Sequence, residues 1–312
     1  MPLAECAAGG PPLIRYATLG GAQLFVGAAA IFARLALAGA GPVAVSYLRL
    51  GIAAAIVMML AFARGGESRR LLDGRRESVL AFAGVALAVH FAGWIASLQF
   101  TSIAIATLLV CTSPIFTGIY EAGVLRRTPS ASFFLALICG GAGLALVGFA
   151  HAAPAPVPGH AALGALLAIL GAIAMSVYLT LVRSVRADLT TLAIVARTYT
   201  WAAVVLAALA LAIHENPPPF VDGSVWFGII AMALVSQLLG HTAINVSLRW
   251  FTPTTVGFST LLEPVIAAVL AAIIFREALA GTTLAGAVLL FAAIALAIRN
   301  QSGQEQPAAT GL

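Results

Sequence analysis

Between Tyr16 and Arg299 the chain divides into ten apolar segments of about 20 residues, a length that carries a helix across a bilayer. The segments fall at 16–36, 43–63, 78–98, 102–124, 132–150, 162–183, 190–213, 224–247, 253–275 and 281–299, and the linkers between them are too short to fold alone. Only 9% of the residues are charged, against roughly 25% in a soluble domain. Such a chain cannot cover a globular surface with polar groups. The apolar runs are continuous and do not alternate, which argues against a transmembrane barrel. The expected fold is an all-α integral membrane protein of ten transmembrane helices.

A repeat organises these spans. Residues 97–126 read SLQFTSIAIATLLVCTSPIFTGIYEAGVLR, and residues 247–276 read SLRWFTPTTVGFSTLLEPVIAAVLAAIIFR. Ser97-Leu98 falls on Ser247-Leu248, Pro114 on Pro264 and Arg126 on Arg276. Five spans per half is an odd number, so the second half is expected to be inverted relative to the first. Inverted repeats are common in secondary transporters, whose sites lie at mid-membrane between the repeats. The expected division is an N-terminal segment 1–15, a first five-helix repeat 16–150, a linker 151–161, a second repeat 162–299 and a tail 300–312, polar and disordered from Gln301.

All sixteen basic residues are arginine, and they fix an expected orientation. With the N-terminus in the cytoplasm, the termini and the linkers after even-numbered spans hold Arg15, Arg64, Arg69, Arg70, Arg75, Arg76, Arg126, Arg127, Arg183, Arg186, Arg249 and Arg299. The other side keeps Arg34 and Arg276. By the positive-inside rule both termini face the cytoplasm. Cys6, Cys111 and Cys139 have no metal-binding or disulfide spacing. No metal, cofactor or nucleic-acid partner is expected. No phosphate-binding GxxxxGK[ST] loop is present, so this polypeptide does not itself use ATP. No nucleophile–base pair or carboxylate pair suggests an enzyme.

Polar side chains within a bilayer are costly and normally face the bundle interior. Spans 5 and 10 have none in their central parts and are expected to be peripheral, with Gly140, Gly141, Gly143, Gly281 and Gly286 allowing either helix docking or a dimer. The remaining eight carry polar groups and are expected to line a central cavity. Gln237, His241 and Asn245 recur every four residues in span 8, and His90, Trp94 and Ser97 share a face of span 3. Pro114 and Pro264 each kink a span, as hinges or as fixed bends. Glu263, the only acid deep in a span, either carries a proton, binds an ammonium group, or bonds backbone freed by the kink; its counterpart is Ser113. His90 and His241 line the cavity or are satisfied core residues. Arg49 and Arg197 are matched, and their nearness to span ends favours snorkelling or end-pairing over a carboxylate-binding role. Glu121 and Glu277 are expected in interfacial ion pairs. Tyr199 and Trp201 suit an aromatic belt, whereas Trp94 and Tyr178 suit stacking against a substrate. The candidate substrate-binding residues are therefore His90, Trp94, Ser113, Tyr178, Gln237, His241, Asn245 and Glu263, with Pro114 and Pro264 as candidate hinges.

Ten spans in two inverted repeats, with TSIAIATLLVCTSPIFTGIYEAGVLRR echoed by FTPTTVGFSTLLEPVIAAVLAAIIFREAL, resemble the EamA family of the drug/metabolite transporter superfamily. Arg49 with Arg197 and Pro114 with Pro264 fit the same pattern. The second repeat ends in FREAL, close to the family's usual ending, while the first ends in LRRTPS and lacks that Glu. The resemblance covers about 16 to 299. It implies secondary transport of small metabolites in a bacterial inner membrane, often amino-acid export, through a cavity between two four-helix groups. Within the family the chain is most similar to YddG-type exporters of aromatic amino acids, on the strength of His90, Trp94 and the aromatic lining. The implied partners are a small-molecule substrate and the lipid bilayer, with the protein a monomer or homodimer.

Overall fold

The computed structural model describes residues 11–65, 72–126, 129–150, 159–276 and 280–304. Cys6, Arg69, Arg70, Arg127, Glu277, most of the 151–161 linker and the tail beyond 304 lie outside these residues. The described residues are helical with no strand. Ten helices are long and apolar enough to cross a membrane: α1 (Pro12–Ala36), α2 (Pro42–Arg64), α3 (Gly74–Ser97), α4 (Ile103–Gly123), α5 (Ala131–Gly148), α6 (Ala161–Val185), α7 (Thr191–Ala212), α8 (Gly223–Ser247), α9 (Pro253–Ile274) and α10 (Gly281–Gln301).

Local chemistry sets where these helices begin. α1 starts four residues before its apolar run because Pro12 sits in its first turn, where a missing amide hydrogen costs nothing. α3 starts at Gly74 because the Asp73 carboxylate accepts from the Arg76 amide at 2.8 Å. α10 carries the chain past the expected end of helix at 299. Gln301 is buried; it donates to the Trp250 carbonyl at 2.7 Å and accepts from the Thr252 amide at 3.0 Å. The expectation of disorder from Gln301 fails at that residue, whose side-chain amide has two backbone partners.

The repeat is visible in backbone detail. Ser102 caps α4 and Thr252 caps α9, accepting from the Ile105 and Thr255 amides at 3.2 Å in both cases. α4 breaks at Cys111–Thr112, immediately before the Ser113-Pro114 pair. α9 tightens into a 3-10 turn over Thr260–Leu262, immediately before Glu263-Pro264. Proline offers no amide hydrogen and crowds the preceding turn, so each helix restarts at it. Each repeat's matched arginine, Arg126 (φ 53) and Arg276 (φ 56), takes a left-handed conformation that ends the helix.

The helices pair in a pattern that maps onto itself when α1–α5 are exchanged for α6–α10. α3 lies along α6 as α8 lies along α1, and α3 meets α7 as α8 meets α2. α2, α4 and α5 each pack on their own counterparts α7, α9 and α10. Lipid gives no hydrophobic push between helices, so close approach of backbones must hold them together. A Cβ on Gly93 of α3 would lie 2.7 Å from the Leu167 carbonyl oxygen of α6. A Cβ on Gly143 would lie 2.9 Å from the Gly286 oxygen, and one on Gly286 2.7 Å from the Gly143 oxygen. These two glycines therefore dock α5 onto α10, while Gly141 and Gly281 meet nothing. Large apolar side chains such as Phe82, Ile138, Leu166, Val204 and Val288 point outward, as lipid requires.

Gly93→Ala is expected to cost about 1–3 kcal/mol by overpacking, because its new methyl meets backbone. Gly141→Ala, in open space, is expected to gain up to about 1 kcal/mol from helix propensity. Thermal unfolding of the two purified variants in one detergent checks the pair. Equal melting temperatures would contradict the packing described.

Candidate functional site

At the centre of the bundle a cavity is walled by Val26 and Ala29 of α1, Arg49 of α2, His90, Phe91 and Trp94 of α3, Val110, Cys111 and Ser113 of α4, Met175 of α6, His241 of α8, and Thr260 and Glu263 of α9. Its volume is about 20 Å³, the scale of one water molecule. It is closed in this structure. Seven of the eight expected spans supply its walls; α7 contributes only from behind, through Tyr199.

Arg49 dominates the electrostatics. It is fully buried, and its Nη2 donates to Gln237 Oε1 at 2.9 Å. Its guanidinium lies 4.1 Å from the centroid of the Phe91 ring, a cation–π contact. Nε and Nη1 have no hydrogen-bond partner. The expectation that Arg49 snorkels or pairs at a helix end is therefore corrected. Two turns into α2, its side chain turns inward to α8 and α3 instead of reaching along the membrane normal. The matched Arg197 has a carboxylate of α3 as its partner, where a headgroup or a helix-end carbonyl was expected. Its Nε donates to Glu77 Oε2 at 3.1 Å near the start of α3, and Trp201 Nε1 donates to Glu77 Oε1 at 3.0 Å.

The histidines face each other across the site. His90 Nδ1 lies 3.0 Å from the Gly171 carbonyl oxygen, so it carries the proton, leaving Nε2 as an acceptor. The ring centroids of His90 and His241 are 6.2 Å apart, with Phe91 at 4.8 and 5.0 Å from them. The indole Nε1 of Trp94 and the Nδ1 of His241 are buried without partners. The described residues hold no cluster able to bind a metal ion.

Glu263 opens the second half of α9 beside Pro264 and is the only carboxylate on the cavity wall. No hydrogen bond or ion pair engages its carboxylate among the described residues. Its neighbour Cys111 donates its thiol to the Thr260 carbonyl at 3.3 Å. Ser113, opposite in the repeat, also lines the cavity.

The other candidates form the layer behind. Asn245 Nδ2 donates to the Tyr178 hydroxyl at 2.7 Å and to the His241 carbonyl at 2.7 Å. Gln237 holds Arg49 through its side chain, and its carbonyl accepts from the Tyr199 hydroxyl at 3.3 Å. Tyr199 is fully buried and belongs to no aromatic belt; Trp201 is 39% exposed, midway along α7. Gln237 and His241 lie on a stretch of π-helix, Met232–His241, that their four-residue spacing does not reveal. Such i→i+5 segments are rare and concentrate at functional sites. Among the described residues Glu121 has no ion-pair partner, and its Oε1 is buried without a hydrogen bond; Arg127 lies outside those residues.

Beside the cavity a vestibule of about 550 Å³ opens toward the arginine-poor face. It runs between Ala30, Arg34 and Leu37 of α1 with its following turn, Leu98 to Thr107 around the start of α4, Val147 of α5, and Pro264 to Ala271 of α9. That volume falls in the range of about 300–1,000 Å³ typical of small-molecule sites. Pro264 lines the vestibule and the adjacent Glu263 lines the cavity, so the α9 break separates the two. A cation, a carboxylate and an aromatic wall thus surround one enclosed space. That arrangement can hold a molecule carrying both charges and an apolar body.

The description of an EamA-like transporter family matches this chain twice, over residues 16–149 and 162–299. Curated proteins give no significant match. One solved crystal structure is similar over 93% of this chain and 99% of its own, at 20% identity and a TM-score of 0.75. That likeness carries the fold alone.

Proposed function

We propose that this chain, which belongs to the EamA-like transporter family, is a secondary transporter that exports amino acids with aromatic or bulky apolar side chains. In this reading the arginine-rich face and both termini are cytoplasmic, the membrane is a bacterial inner membrane, and the substrate crosses by alternating access. One observation carries the substrate class. Arg49 keeps Nε and Nη1 without partners, and Glu263, which has no hydrogen bond or ion pair among the described residues, stands on the wall of the same cavity. Buried polar groups are nearly always satisfied, and unpaired charges inside a membrane mark ligand sites. A zwitterionic α-amino acid satisfies both: its carboxylate takes the fork of Arg49, and its ammonium group takes Glu263. Phe91, Trp94, Met175 and Val110 then receive the side chain. One chain contains the whole site, so a monomer suffices.

The cavity must open to admit such a molecule, since about 20 Å³ is far below the size of any amino acid. The breaks before Pro114 and Pro264 supply flexible points in the two helices that flank it. Purified protein in proteoliposomes is expected to show saturable flux of labelled phenylalanine and tryptophan, with unlabelled substrate competing. Flux that is absent for these and for threonine would overturn the amino-acid reading.

A further inference from the structure

Away from the central cavity, a groove of about 680 Å³ lies between α2, α3 and α7. Met58 and Phe62 of α2, Glu77 of α3, and Arg197 and Trp201 of α7 line it. Its volume falls within the range of about 300–1,000 Å³ typical of small-molecule sites. A close approach of α3 and α7 builds its polar end. A Cβ on Gly84 of α3 would lie 2.4 Å from the Trp201 Cβ and 2.9 Å from the Thr198 carbonyl oxygen. With the backbones that near, Glu77, two turns earlier in α3, reaches Arg197 and Trp201 together. Glu77 stands in the first turn of α3 and Arg197 in the second turn of α7, while Phe62 lies two residues before the end of α2. All three therefore belong to the arginine-rich end of the bundle.

The groove joins two kinds of surface. Phe62 is exposed, as are Met59, next to Met58, and Val204, one turn beyond Trp201. The apolar part thus runs out onto surface that faces acyl chains, and what fills the groove comes from the bilayer. The polar end holds one carboxylate and one guanidinium, whose charges cancel. Each Glu77 oxygen accepts one bond there, Oε1 from Trp201 Nε1 and Oε2 from Arg197 Nε. A carboxylate offers about four acceptor sites. Glu77 can therefore take a further donor, and its side chain is exposed enough to meet one.

We propose that this groove binds a phospholipid with a primary-amine headgroup. The ammonium group donates to the Glu77 carboxylate, the adjoining phosphate lies beside the Arg197 guanidinium, and the acyl chains pass over Met58 and Phe62. A headgroup without net charge suits a pair without net charge. A headgroup that carries only the phosphate charge leaves Glu77 facing an anion. Hydrogen bonds between charged groups are the strong ones, and a quaternary headgroup nitrogen, which has no N–H, makes none. Contacts come from α2 of the first repeat and α7 of the second, so the lipid bridges the two. The site is separate from the cavity around Arg49 and Glu263, and it rests on no particular transport substrate.

The test is native mass spectrometry of the full-length protein in detergent, titrated with lipids that share the same acyl chains. The series is phosphatidylethanolamine, its N-methylated intermediates, phosphatidylcholine and phosphatidylglycerol, and the affinity of the tightest site is the readout. The wild type is expected to bind phosphatidylethanolamine about tenfold more tightly than phosphatidylcholine or phosphatidylglycerol, since one charge-assisted hydrogen bond is at stake. The methylated intermediates, which keep some N–H donors, are expected to fall between. Glu77→Gln is expected to bring the whole series within about twofold, and a melting curve shows whether that variant folds. The lipid series on the wild type stands without it. Equal wild-type affinities for phosphatidylethanolamine and phosphatidylcholine would overturn the proposal. So would tightest binding of phosphatidylglycerol, or a preference that survives undiminished in folded Glu77→Gln protein. Because lipid binding needs no transported substrate, a failed amino-acid assay leaves this result standing, and amino-acid flux without a lipid preference removes the lipid site alone.

Discussion

Arg49→Gln is expected to lower amino-acid flux about 100-fold, because two charge-assisted hydrogen bonds at about 1.5 kcal/mol each are lost from the substrate carboxylate. The same variant is expected to be at least as stable as the wild type. Arg49 is fully buried, has one hydrogen bond, to Gln237, and otherwise rests on the Phe91 ring. Holding a charge there opposes folding, and replacing buried ionic groups by neutral ones of similar volume is often neutral or stabilising. Lost transport with an unchanged or raised melting temperature is the signature of a group kept for function. Arg49→Lys is expected to fail too, since an ammonium group cannot offer the planar fork. Arg197→Gln provides the contrast. That arginine pairs with Glu77, whose side chain is 39% exposed, and such pairs contribute about 0–1 kcal/mol. Near-normal flux is expected despite the sequence match between the two arginines. Wild-type flux in a well-folded Arg49→Gln protein would make the guanidinium structural.

Glu263→Gln is expected to raise the KM for phenylalanine between about tenfold and 100-fold, by removing the charged partner of the ammonium group. The loss should be selective. Amine-free 3-phenylpropanoate, a weak competitor in the wild type, is expected to compete relatively better in the variant, because no buried carboxylate is left unpaired when it binds. The variant also decides coupling: if wild-type flux follows a pH gradient, flux through Glu263→Gln is expected not to. A pH dependence that survives the substitution would take the proton away from Glu263 and leave its ammonium role to be judged on KM. Equal losses for phenylalanine and 3-phenylpropanoate would instead make Glu263 a support for the α9 break.

Span number, repeat and inversion were legible because they are written in run length and in matched landmarks. The apolar runs, the Pro114–Pro264 pair and the Arg126–Arg276 stops each have a backbone consequence that position alone determines. The walls of the site were less legible. Counting polar residues per span overstates the lining, because serine and threonine hide in a helix by bonding to its own carbonyls. Ser46 donates to Pro42, Ser97 to Trp94, Thr198 to Ile194 and Ser247 to Ala243. Side chains that cannot do this locally (Arg49, Gln237, His90, His241) are the ones drawn to the centre. Phe91 and Met175 leave no mark in a chain that is 62% hydrophobic. Distance from a span end does not place Arg49; the inward direction of its side chain, to Gln237 and Phe91, does. The π-helical turn of α8 has no sequence signal at the level of spacing, since Gln237, His241 and Asn245 read as an ordinary α-helical stripe.

The central claim, that one cavity reads both charges of an amino acid, is tested most directly by competition. Proteoliposomes preloaded with phenylalanine take up labelled phenylalanine by exchange, and 2-phenylethylamine and 3-phenylpropanoate each keep the ring but only one of the two charges. The account predicts that unlabelled phenylalanine abolishes uptake while each single-charge analogue competes at least tenfold more weakly, consistent with the loss of about 1.4 kcal/mol or more from one unpaired buried group. An analogue with one charge that competes as well as phenylalanine would contradict it.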